Sequence, residues 1–197
     1  MGHLFAPALA ALTITATALL ATIPAAGAAT LNTVGGQLIG ASNVLVDGLF
    51  YDVQFVDGTC IAVFDGCDAA SDFTFQSDGD AFLASHALHN QVFYDGPQGN
   101  FDSAPELTFG CGASDVCNAM TPYALNLYWY ANNRDHEPDD SVAWNGFYVD
   151  NKSLSTTTDG YNVWAVWTLV PEPNTALLVT VGLVMVSLRR RRCAASR

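Results

Sequence analysis

The chain has 197 residues, 50% of them hydrophobic and 13% charged, with 19 Asp and Glu against seven Lys and Arg for a net charge of −12. That length fits one ordinary domain with its own core, and so apolar a composition excludes a wholly disordered chain. The acidic excess excludes a nucleic-acid binder, which needs a basic surface to neutralise phosphates.

Residues 1–28 carry no charged side chain. An apolar run from Leu4 to Ile23 precedes Pro24 and the small-residue site Ala26-Gly27-Ala28. This is the pattern of a secretory signal peptide cleaved after Ala28 or one residue later. The segment before the run holds only His3 and the α-amino group where Lys or Arg is usual. The run is long enough for an uncleaved membrane helix, but Ala-Gly-Ala-Ala continues a helix poorly, which favours cleavage.

Residues 29–168 carry 18 acids and two bases, Arg134 and Lys152. Residues 43–46 and 49–56 read as a hairpin about Asp47-Gly48, a pair that supplies the positive φ of a tight turn. In its second strand Tyr51, Val53 and Phe55 share one face, while Asp52 and Gln54 share the other. Asp-Gly recurs at 57–58, 65–66, 78–79, 95–96 and 159–160, punctuation that fits a meander of short strands. Further strands are expected at 123–131, 142–150 and 161–169, with weaker candidates at 73–76 and 107–109.

One helix interrupts the strands. Ser77 is its expected cap, and Asp80 is favourable in the first turn. Ala81, Ala84, Leu88 and Val92 recur at helical spacing up to the breaker Tyr94-Asp95-Gly96-Pro97. The fold class is therefore α+β: a β-rich antiparallel sheet with one packed helix, followed by a C-terminal transmembrane helix. An all-β sandwich is the alternative.

Cys60, Cys67, Cys111 and Cys117 lie within this segment, and Cys193 lies beyond it. An even set of four suits disulfides in an oxidising compartment. Three connectivities are possible, and Cys60–Cys67 with Cys111–Cys117 is favoured because each closes a small loop. Zinc would want C-x2-C-like spacing or nearby His, whereas the spacings here are C-x6-C and C-x5-C. No metal site and no cofactor is expected.

Several constellations could carry chemistry. His86 and His89 are three apart on the expected helix but lack a third ligand. Ser85 beside His86 is no triad without a converging acid. The loop Asp135-His136-Glu137-Pro138-Asp139-Asp140 and the run Asp65, Asp68, Asp72, Asp78, Asp80 could offer oxygens to Ca²⁺, yet Asp-rich turns are ordinary. Glu106 and Glu137 give no specific sign of a glycosidase pair. Within 123–131, alternation assigns Tyr123, Leu125, Leu127 and Trp129 to one face as core. The other face receives Asn126, Tyr128 and Tyr130, which could stack on sugar or pack against Trp144, Trp164 or the helix. No catalytic residue is expected, and the chain reads as non-enzymatic.

The end of the chain is different in kind. Val170-Pro171-Glu172-Pro173 precedes 15 uncharged residues, 174–188, and then Arg189, Arg190, Arg191 and Arg192. The apolar stretch is short for a span, but Asn174 can cap it and the arginines can snorkel. The positive-inside rule puts the arginines in the cytoplasm and the domain outside. These residues resemble the PEP-CTERM sorting signal of exported bacterial proteins. The resemblance covers the tail and the N-terminal signal, and it departs from the pattern in the extra Cys193-Ala194-Ala195-Ser196-Arg197. It implies exosortase as a partner, transient anchoring in the inner membrane, and cleavage near Pro171–Pro173. Release to the cell surface or an extracellular polysaccharide matrix would follow. The expected organisation is a signal peptide (1–28), an exported β-rich domain (29–169), a sorting signal (170–192) and a cytoplasmic tail (193–197). Alternatives are a secreted glycan- or Ca²⁺-binding module and, least supported, a secreted hydrolase.

Overall fold

A computed structural model describes residues 28–112, 115–135, 140–146 and 155–171. The expected signal peptide before residue 28, the acidic residues 136–139 and the expected sorting signal and tail from residue 172 lie outside the described residues.

The sequence-expected hairpin is present. Strands β2 (Gln37–Val46) and β3 (Leu49–Val56) meet at Asp47-Gly48, both with positive φ. Val53 and Phe55 are buried and Tyr51 packs beside them, while Gln54 is exposed. Ahead of them stands β1 (Thr30–Val34), which the sequence reading did not anticipate. A short helix α1 (Cys60–Val63) follows within a disulfide loop, then helix α2 (Asp78–Gln91) and the two-residue strands β4 (Asp95–Gly96) and β5 (Gly99–Asn100). The remaining strands are β6 (Val116–Ala124), β7 (Leu127–Arg134), β8 (Ser141–Gly146) and β9 (Asn162–Leu169).

The main sheet has seven strands in the order β1-β2-β3-β9-β6-β7-β8. It is mixed, which corrects the expectation of a purely antiparallel sheet: β6 and β9 run parallel, and the other neighbours run antiparallel. The last strand is inserted between two earlier groups, a long-range pairing that no local spacing announces.

Three further corrections concern local structure. Residues 123–131 are not one strand, because Leu125-Asn126 turns β6 back into β7 with Asn126 at φ 63°. Asparagine tolerates that left-handed conformation better than most residues. Residues 73–76 form no strand, and 105–107 form a single 3₁₀ turn beside which Thr108 bridges to Leu38. Of the strand expected at 142–150, Ser141–Gly146 is seen, and 147–154 fall outside the described residues.

Helix α2 begins as its sequence requires. Ser77 Oγ accepts the Asp80 backbone N–H at 3.2 Å and its hydroxyl bonds the Asp80 carboxylate at 2.7 Å. Ala81, Ala84, Ser85, Ala87 and Leu88 form the buried face, and Val92 follows them into the core. Most of these side chains are small, so the helix lies close to the sheet. It touches β2 on one side and β6, β7 and β8 on the other, so the sheet curls around it. Gln91 closes the far end: its amide accepts from Leu45 N–H at 3.0 Å and donates to Leu45 C=O at 2.8 Å. It thus occupies backbone groups of β2 beyond the reach of β1.

The second face of the sheet has a smaller core of Cys60, Cys67, Phe73, Met120, Tyr128 and Trp164. The segment that covers it is fastened at its root. Gly58 C=O accepts from Trp164 Nε1 at 3.0 Å and from Thr156 N–H at 3.2 Å. The fully buried Thr156 hydroxyl donates to Asp57 at 2.8 Å. The fold is thus a β-rich domain with one main helix on one face of a mixed sheet. The all-β sandwich does not hold.

Candidate functional site

The four cysteines form the disulfides Cys60–Cys67 and Cys111–Cys117, with Cα–Cα separations of 5.8 and 5.4 Å. Each closes a short local loop, as the spacing suggested. All four are fully buried, the first pair in the second-face core and the other in the helix-side core.

The tyrosine pair does not form an open platform. Tyr128 is 3% exposed and packs 6.4 Å from Trp164 and 6.3 Å from Tyr130, which is half-buried. Beside them a polar ladder crosses three strands. Asn162 accepts from Asn118 at 2.9 Å, Asn118 accepts from Asn132 at 2.6 Å, and Asn132 accepts from Arg134 Nε at 2.8 Å. Asp159 anchors the row by accepting from Asn162 Nδ2 at 2.7 Å. These amides satisfy one another, which accounts for their burial in structural terms.

The helix-side aromatics converge at the start of α2. Trp129 donates its indole N–H to Asp78 at 3.0 Å and lies 4.8 Å from the Phe82 ring. Trp144, on the edge strand β8, donates to the Tyr123 hydroxyl at 3.0 Å and is 52% exposed. Burial pushes the Tyr123 phenol above its ordinary range, and the Asp78 carboxylate adds to the shift. Tyr123, Leu127 and Trp129 thus belong to the helix-side core as expected, whereas Leu125 is exposed in its turn.

The histidines divide. His86 packs 4.3 Å from Phe82, and burial holds its imidazole below the ordinary range, with the neighbouring His89 acting in the same direction. His89 Nε2 lies 3.5 Å from Asp140 Oδ2. The Asp140 carboxylate also accepts the Arg134 backbone N–H at 2.7 Å. Several Asp side chains serve local structure: Asp72 accepts from the N–H groups of Asp68 and Ala69, and Asp95 accepts from those of Asp102 and Ser103. Those bonds, led by the Ser103 N–H, hold the Asp95 carboxyl below the usual range. Among the described residues no three His, Cys, Asp or Glu side chains converge on a metal-sized site.

No family model, curated protein or solved structure matches this chain.

A depression of about 260 Å³ is lined by Asn32, Ile39, Gln54, Phe55 and Phe109. The described lining offers apolar contact surface and the side-chain amides of Asn32 and Gln54.

The remaining feature is the chain exit. Strand β9 ends at Leu169, and Val170 N–H still bonds Phe50 C=O at 2.8 Å. Thr74 donates its hydroxyl to Trp167 C=O at 2.5 Å. The folded sheet therefore reaches the first residue of the Val170-Pro171-Glu172-Pro173 motif, with no intervening linker. The sequence could place the motif beside the last strand. It could not show that this strand is the fourth of seven in the sheet. Among the described residues no helix is long and apolar enough to cross a membrane.

Proposed function

We propose that this is an exported, non-enzymatic protein of the cell surface or extracellular matrix, sorted by exosortase through a PEP-CTERM tail. The observation that carries the reading is the order of parts after residue 169: Val170-Pro171-Glu172-Pro173, 15 uncharged residues, then Arg189–Arg192. The N-terminal signal pattern is independent support. Two disulfides suit the oxidising compartment that export would reach. In this reading residues 174–188 hold the chain in the inner membrane, the arginines stay in the cytoplasm, and exosortase cuts near Pro171–Pro173. What is released is a small acidic domain whose neighbours are cations or neutral polysaccharide.

Intact mass of the extracellular protein tests the route. The expected form starts at Ala29 or Thr30 and lacks Arg189–Arg192. Because backbone pairing reaches Val170, its C-terminus falls at or after Pro171. A soluble extracellular form carrying the full tail would overturn the processing. Replacing Pro171, Glu172 and Pro173 by Ala should leave the protein in the inner membrane, and unchanged release would count against exosortase.

A further inference from the structure

The residues around the chain exit are unusually apolar for a rim. Leu45 is 43% exposed, Leu49 42% and Leu169 49%. They are neighbours in the sheet: Leu45 pairs with Phe50, Leu49 pairs with Val46, and Leu169 pairs with Tyr51. Phe50 and Val170 are half-buried beside them, and Val170 is tied to Phe50 through its N–H. Leu49 and Leu169 share the helix-side face with Val46 and Tyr51, whereas Leu45 and Phe50 share the other, so the leucines edge this end of the sheet from both faces as a collar. Asp47 lies in the hairpin turn of this rim, Asp52 stands across from Thr168, and Asp80 is close enough to act on Tyr51.

The collar is held close to whatever the tail enters. From Leu169 to Asn174 is five residue steps, at most about 18 Å of extended chain. The headgroup layer of one leaflet occupies about 6 Å of that. The remainder is comparable to the width of one helix with its side chains. A domain so tethered cannot stand clear of the bilayer, and the end it must present is the one from which the chain leaves.

We propose that this collar, centred on Leu45, Leu49 and Leu169, seats the domain on the lipid headgroups while the tail is anchored. The proposal rests on the reading of residues 174–188 as a membrane span. Apolar side chains on a tethered rim enter the interface, and because Asp47 sits in this rim with Asp52 and Asp80 bordering it, the seating rests on the leucines and not on attraction to anionic lipid.

The test uses the full chain with Cys193→Ser, in vesicles of phosphatidylethanolamine and phosphatidylglycerol. An environment-sensitive fluorophore is attached in separate preparations at Leu49→Cys, Tyr161→Cys and Thr180→Cys. Nitroxide-labelled lipid is the quencher. Tyr161 is exposed at the opposite end of β9, about 27 Å from Leu169 at strand rise. The expected result is loss of most fluorescence at positions 49 and 180, and retention at 161. Adding Leu45→Ser and Leu169→Ser, both at exposed sites, should at least halve the quenching at 49. Melting temperatures equal to the parent's show that each labelled chain is folded.

Quenching at 180 without quenching at 49 overturns the collar and leaves the anchor standing. No quenching at any position overturns the anchor, and the collar with it. A blue-shifted but unquenched label at 49 means protein covers the rim, the chain's own tail or a second copy, and this too overturns the proposal. Equal quenching at 49 and 161 means the domain has no preferred end down, with the same consequence.

Discussion

The Cys60–Cys67 disulfide staples the cover over the second face of the sheet, so removing it should loosen that face before the rest. The perturbation is the double substitution Cys60→Ala, Cys67→Ala. The bridge spans seven positions, and loop-closure entropy for a loop of that size is about 2.4 kcal/mol. At about 4 °C per kcal/mol for a domain of this length, the melting temperature should fall by about 10 °C. The Cys111–Cys117 bridge spans six positions, so the entropic contribution of the two is nearly equal. Their structural consequences differ. The loss of Cys60–Cys67 frees the segment between Thr59 and Phe73, whose Phe64 packs on Trp164, whereas Asp57 and Gly58 stay fixed by Thr156 and the Trp164 indole. The Cys60/Cys67 variant should therefore show a red-shifted Trp emission and bind a hydrophobic dye at temperatures where far-ultraviolet circular dichroism is unchanged. The Cys111/Cys117 variant should lose both signals together. A drop in melting temperature under about 3 °C, with no dye binding, would refute the reasoning.

Two other substitutions probe single contacts. Gly40 has φ +152°, and a Cβ there would overlap the Val53 carbonyl oxygen across the β2–β3 pair. Gly40→Ala should therefore lower stability by about 3 kcal/mol, read from the denaturant midpoint; a loss below about 1 kcal/mol would mean the strands can separate freely at that point. His86 has an imidazole held below its ordinary value by burial and by His89. Its contribution is therefore present above about pH 6.5 and lost as pH falls through the lower folded value. His86→Gln should flatten the decline in stability between pH 7 and pH 5, and an unchanged decline would assign that limb to other groups.

How far the fold could be read in advance follows from the range of each interaction. The Asp47-Gly48 hairpin, the Ser77 cap, the inward face of Ala81, Ala84, Leu88 and Val92, and both disulfides were legible because all are set within a few residues. The turn at Leu125-Asn126 was hidden because an apolar residue followed by Asn continues the alternation of Tyr123 and Leu127. β1 was missed because Leu31 and Val34 are its only large apolar residues. The parallel pairing of Asn118–Met120 with Asn162–Trp164 joins segments 44 positions apart, and nothing in either segment names its partner. The candidate site shows the same division. Tyr128 and Tyr130 were correctly placed on the opposite side from Trp129. The Asn118–Asn132–Asn162 ladder beside them, however, depends on the strand order. The leucine collar was hidden for the same reason, because Leu169 joins the hairpin leucines Leu45 and Leu49 only when β9 pairs with β3.

The position of β9 has a bearing on the timing of folding. Strands β1 to β3 form one group and β6 to β8 another, and β9 supplies the ladder between them. Until residues 162–169 arrive, the sheet is two unjoined halves, each with an edge exposed to the other. A chain that is threaded outward from its N-terminus delivers this strand last. On the proposed export route the assembled sheet could therefore not form during most of transit, and it would close only when nearly the whole domain had crossed. The two disulfide loops, each local to one half, can be oxidised earlier. On that route the final strand would be the keystone of the sheet, set only a few residues before the proposed anchor.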